Sequence, residues 1–80
     1  MVKEKVIEVL ENIGIVLEDR DEDVNLDEYG IDSIGYITLM CDLEEKFNIE
    51  FSNEYFGKPE MLSLNGIVNS VISLLNKNKL

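Results

Sequence analysis

Tyr29-Gly30-Ile31-Asp32-Ser33-Ile34 marks the point where an acid-rich stretch gives way to an apolar-periodic one. A helix leaves its first amide N–H groups without intrahelical partners, and an Asp or Ser at the boundary accepts from them. On that ground alone Asp32-Ser33 reads as a capped helix start. Beyond it, Tyr36, Leu39, Met40, Leu43 and Phe47 fall at i, i+3, i+4, i+7 and i+11, which predicts a helix from Ser33 to about Asn48 with these five in the core. At about 100° per residue, Ile34, Ile37, Cys41 and Glu44 lie along one edge of the stripe, with Thr38, Asp42 and Glu45 further out. The helix therefore carries a half-exposed apolar edge bordered by acid.

Upstream, Val2, Val6, Val9, Leu10, Ile13 and Leu17 repeat at three-and-four spacing and predict a first helix from Val2 to about Leu17, weakened by Gly14. Glu18 to Asp32 has no helical period and reads as a long ordered loop, pinned by Val24, Leu26, Tyr29 and Ile31 and turned sharply into the next helix at Gly30. Downstream, Ile49 to Gly57 is irregular, with Ser52 or Asn53 placed to cap a single turn. Pro59 suits the first turn of a short helix reaching Leu62. Ser63 caps a last helix through Leu64, Ile67, Val68, Val71, Ile72 and Leu75, and Asn76 to Leu80 should fray. No strand pattern, repeat or low-complexity linker interrupts this order. The fold class expected is all-α: a small four-helix bundle, three main helices plus one short one, in a single domain over residues 1–80.

Eighty residues, 45% of them apolar, suffice for one small core and leave little room for a deep cleft. Seventeen acids against seven bases give a formal charge of −10, which repels nucleic acid and anionic membrane and favours basic protein surfaces. Eight of the acids lie between Glu18 and Asp32, and none follows Glu60. Stability should accordingly rise with salt or magnesium. With no His and Cys41 as the single cysteine, Ser-His-Asp and Cys-His catalysis, an internal disulfide and a CxxC site are all missing. No signal peptide or membrane span is apparent, so a cytoplasmic chain and a monomer are expected.

The junction, followed by Leu39, Leu43-Glu44-Glu45-Lys46-Phe47 and Ile49, resembles the core of acyl carrier and peptidyl carrier proteins. Their common signature is Gly-x-Asp-Ser-[Leu/Ile] at the head of the second helix, then an amphipathic helix ending in an acidic pair and an aromatic. Helix order, loop placement and length fit a free-standing carrier domain. The resemblance implies that a phosphopantetheinyl transferase attaches 4′-phosphopantetheine to Ser33, with Asp32 contacting the transferase and its metal-bound coenzyme A. It implies thioester cargo on the arm, acyl or aminoacyl, passed between a loading enzyme and downstream synthases with basic docking surfaces, and no catalysis by the chain itself. Ile34, Ile37, Cys41, Glu44 and Glu45 would form the docking face. Thr38 and Gly35 stand where fatty-acid-synthase carriers usually have acidic or polar residues, and Gly57-Lys58-Pro59 interrupts their third helix. The pathway expected is fatty-acid, polyketide or a related one; these departures count against housekeeping fatty-acid synthesis, and Ile34 in place of Leu leans toward carriers of polyketide, peptide or D-alanine pathways.

Blander readings stand beside these. Asp19, Asp21 and Asp23 match the first ligands of a calcium loop, but Val24 and Gly30 occupy the positions that need Gly and a bidentate Glu, so no metal site is expected. Cys41, with acids nearby and no neighbouring base, reads as packing rather than a reactive thiol. Tyr36, Met40 and Phe47 fit either an acyl-sheltering interior or ordinary core. The alternative function is an acidic helical interaction domain with no prosthetic group, for which Ser33 is only a cap.

Overall fold

The computed structural model describes residues 2–17 and 23–78, with the side chain of Asn78 left out. Three α-helices, α1 (Val2–Asn12), α2 (Ser33–Phe47) and α3 (Leu64–Asn78), are joined through 3₁₀ turns at Leu26–Tyr29, Asn53–Tyr55 and Pro59–Leu62. There is no strand among the described residues, and a lone bridge pairs Asn25 with Ser63. The bundle is all-α, as the periodicity predicts; the short fourth helix is a four-residue 3₁₀ turn with Pro59 at its start.

Helix α1 stops at Asn12, five residues short of the expected end at Leu17. The Ile15 amide turns back to the Leu10 carbonyl at 2.9 Å and the Gly14 amide to the Glu11 carbonyl at 3.0 Å, with Gly14 at φ 93°. This is a Schellman stop, which needs a residue that tolerates the left-handed region. Ile15 and Leu17 are still buried, but from irregular backbone beyond the stop. Helix α2 ends within a residue of expectation, with Asn48 at φ 53° as its left-handed cap. Helix α3 is helical through Asn78, two residues into the stretch expected to fray; residues 79 and 80 lie outside the described residues.

The core is one apolar cluster in which Val6, Ile7 and Leu10 of α1, Leu39, Met40 and Leu43 of α2, and Leu64, Ile67 and Val71 of α3 meet Leu26 and Met61 from the turns. Tyr36 and Phe47 pack against it half-buried. The expected α3 stripe is rotated slightly: Leu74 is buried and Ile72 is 40% exposed. Ile7, absent from the expected α1 stripe, is buried as well.

All four expected pins of the long loop are found where predicted. Leu26 is fully buried, and Val24, Tyr29 and Ile31 pack on the core. The loop is also fastened to the head of α3: the Leu64 amide donates to the Val24 carbonyl and the Asn65 amide to the Asp23 carboxylate, both at 2.9 Å. Ser63 caps α3 as expected, its Oγ accepting from the Gly66 amide at 3.0 Å. Asp19 and Asp21, two of the calcium-loop positions, lie outside the described residues.

Candidate functional site at the head of the second helix

Gly30, at φ 75°, closes the 3₁₀ turn with its amide on the Asp27 carbonyl, a backbone conformation that side chains other than Gly rarely accept. Two extended residues later Asp32 is the N-cap of α2, its Oδ1 accepting from the Gly35 amide at 2.7 Å. A Cβ on Gly35 would lie 3.0 Å from that oxygen and 3.3 Å from Ile31, so the bare glycine lets the carboxylate fold over the helix start. Gly35, which looked like a departure from the expected pattern, thus has a local physical cause.

The two residues read together as a cap have separate roles. Asp32 caps, whereas Ser33 is the first helical residue, exposed, with no hydrogen-bond partner for its side chain among the described residues. A hydroxyl at this position is free to react, beside helix amides whose dipole favours an anion.

Along α2 the apolar edge is exposed: Ile34 by 76%, Ile37 by 54%, and Cys41 with them. Cys41 is therefore a surface residue on the half-exposed edge where the helical period places it, and not a side chain packed in the core. The acidic pair divides. Glu45 is exposed, but Glu44 is half-buried at the edge nearer the core and accepts the Phe51 amide on Oε2 at 2.8 Å.

Beside Ser33 lies an open cavity of about 360 Å³, within the range of small-ligand sites. Ile31, Tyr36, Ile37, Phe56, Lys58 and Leu62 contribute to its wall. Of these, Phe56 and Lys58 were not placed near Ser33 by the sequence reading, because nothing in a linear pattern folds the irregular α2–α3 connection back onto the head of α2. The Lys58 ammonium stands over the Tyr55 ring, 5.8 Å from its centroid. The Tyr36 hydroxyl is buried without a partner, and burial raises its pKa above the ordinary 10.0. Among the described residues no group of His, Cys, Asp and Glu is gathered to hold a metal ion, and no helix is long and apolar enough to cross a membrane.

The model of the family described as "Phosphopantetheine attachment site" matches residues 4–58, a span that includes the whole junction. The chain belongs to this carrier family. Relatives in the family include the D-alanyl carrier protein of Streptococcus suis (strain 05ZYH33), 32% identical over 77 residues, covering 94% of this chain and 96% of the relative. The D-alanyl carrier protein of Leuconostoc citreum (strain KM20) is 35% identical over 75 residues, covering 92% and 96%. That of Streptococcus sanguinis (strain SK36) is 34% identical over 77 residues, covering 94% and 96%. No solved structure matches the chain significantly. The prosthetic group of the family is covalent 4′-phosphopantetheine, and the head of α2 fits it: an exposed, unbonded hydroxyl at a helix start, with a cavity alongside.

Proposed function

We propose that the chain is a cytoplasmic carrier, one domain over residues 1–80, whose Ser33 hydroxyl bears the phosphopantetheine arm and whose cargo is an aminoacyl group, D-alanyl before any fatty-acyl or polyketide chain. The observation that carries the attachment point is the division of labour at the helix head. Because Asp32 supplies the cap, the Ser33 hydroxyl is left exposed and unbonded. In the transfer the Ser33 oxygen forms a bond to the β-phosphorus of coenzyme A. The pyrophosphate bond breaks, adenosine 3′,5′-bisphosphate leaves, and the hydroxyl proton passes to a base of the transferase. The chain itself performs no catalysis.

The cargo assignment is supported by the D-alanyl carrier relatives, which match nearly end to end, and by the departures at Gly35, Thr38 and Gly57-Lys58-Pro59 from the fatty-acid pattern. Ile34, Ile37, Cys41 and Glu45 form an exposed apolar edge with acid beside it. Such a face suits brief docking to a transferase, a loading enzyme and an acceptor enzyme with basic surfaces, where steering matters more than tight binding.

The test is intact mass. Incubation with coenzyme A, magnesium and a phosphopantetheinyl transferase should add one phosphopantetheine to the wild-type chain and nothing to Ser33→Ala of unchanged circular dichroism. Adding ATP, D-alanine and a D-alanine-activating ligase should then add one alanyl group, discharged by hydroxylamine. An unmodified wild-type chain that began in the apo form would sink the carrier assignment. A holo chain that takes acyl groups but not D-alanine would sink the cargo.

A further inference from the structure

The cavity beside Ser33 has features that attachment alone does not require. Taking the carrier reading as the basis, we propose that this cavity seats the phosphopantetheine arm: the Lys58 ammonium pairs with the phosphodiester, Ile31, Phe56 and Leu62 cover the dimethyl carbon, and the Tyr36 hydroxyl donates to an arm amide carbonyl, leaving the cargo outside the bundle.

The first support is the Tyr36 hydroxyl. A buried donor without an acceptor is costly and uncommon, and this one belongs to a ring that lines the cavity. The pantetheine chain contains two amides, so an arm lying against the ring brings an acceptor to a buried hydroxyl that has none among the described residues. Reaching the hydroxyl displaces what now covers it, and Phe56, Gly57 and Lys58 on the cavity wall are exposed.

The second support is charge. Asp27 and Asp32 both line the cavity, with Lys58 as the single base among the lining residues. A phosphodiester on Ser33 adds a third negative charge to that wall and gives the ammonium a far stronger partner than the face of Tyr55. The third is packing. Leu39, Met40, Leu43 and Met61, all 1% exposed or less, fill the interior as ordinary core, so the open space next to Ser33 belongs to the arm and not to a long acyl chain within the bundle. Because the arm is tethered at the cavity edge, its effective concentration is high, and a few modest contacts suffice to hold it while still allowing release to an enzyme.

The experiment uses the full chain in apo and holo forms, with conversion confirmed by intact mass and the arm labelled with ¹³C and ¹⁵N. In the wild-type holo protein, cross-relaxation should link the arm methyls to Ile31, Tyr36 and Phe56. The arm amide protons should exchange at least fivefold more slowly than in free phosphopantetheine. Conversion to holo should raise Tm by roughly 4 °C or more. Tyr36→Phe should leave apo Tm unchanged or higher while abolishing most of the holo gain, and Lys58→Gln should reduce amide protection with the fold intact. Full conversion with free-like exchange and no cross-relaxation would overturn the seat and leave the carrier reading standing. Absence of any mass shift in the wild type would overturn both.

Discussion

The Glu44 carboxylate accepts the Phe51 amide at 2.8 Å, tying the end of α2 to the chain that leaves it. Phe51 is buried and packs edge-on to Tyr55 at 5.5 Å between centroids, so this bond fixes the start of the α2–α3 connection. The acidic pair on α2 therefore does not behave as a unit. Glu44→Lys should lower stability by about 1–3 kcal/mol by leaving a part-buried amide unpaired, a fall in Tm of roughly 4–8 °C for each kcal/mol in a chain of this size. Glu44→Gln, which keeps an acceptor, should lose much less. Glu45→Lys, exposed on the surface, should not lower the melt and should slow loading by a partner enzyme. Thermal melts together with loading rates separate the three, and equal melts for both lysine variants would refute the division.

Asp32 and Ser33 offer a second separation. Asp32→Ala removes the side chain that holds the Gly35 amide and should cost about 0.5–2 kcal/mol. Asp32→Asn retains a capping oxygen and should restore most of that loss. If Asp32 also contacts the transferase through its charge, the Asn variant should still be modified more slowly than wild type. Recovery of both melt and modification rate would make Asp32 a cap and nothing more.

Burial raises the Tyr36 pKa above 10.0. Above that pH the folded chain keeps a proton that the unfolded chain has lost, so stability is full below about pH 10 and declines as pH rises through the folded value. Melts between about pH 9 and 11 should fall more steeply for wild type than for Tyr36→Phe. Identical slopes would show that the phenol ionises as it does in solvent.

A formal charge of −10 opposes compaction. Tm should rise on adding salt to the physiological range, where screening acts over about 8 Å, and rise further with millimolar magnesium. A flat response would mean that the repulsion is already relieved.

Much of the fold was legible because α2 and α3 obey a strict apolar period, and because the loop before α2 holds four apolar residues that had no reason to be there unless buried. The candidate site was legible for a related reason: Gly30 and Asp32 answer local demands for a left-handed turn and a cap, which leaves the Ser33 hydroxyl without a structural partner. What escaped the sequence depended on tertiary placement. The helical period sets Glu44 closer to the apolar stripe than Glu45, but the bond that holds its carboxylate comes from the Phe51 amide, seven residues on in the irregular connection. Phe56 and Lys58 sat in a stretch with no period, so their arrival beside Ser33 had no linear signal. The period draws helix α1 too long because Leu17 continues the three-and-four spacing from Ile13, and spacing alone does not tell helix from the irregular chain beyond a glycine stop.

The hydrogen bond from the Asn65 amide to Asp23 spans 42 residues, and with the neighbouring Leu64–Val24 bond it helps the apolar pins to fasten the loop leading to Ser33. A ribosome releases residues 63 to 65 after the serine has already emerged, so a nascent chain displays the hydroxyl on an unfastened loop before it displays it on a finished helix head. On the proposed attachment at Ser33, a transferase that reads the folded helix head would act only once residues 63 to 65 had fastened that loop, which would make arm attachment a late event in the life of the chain.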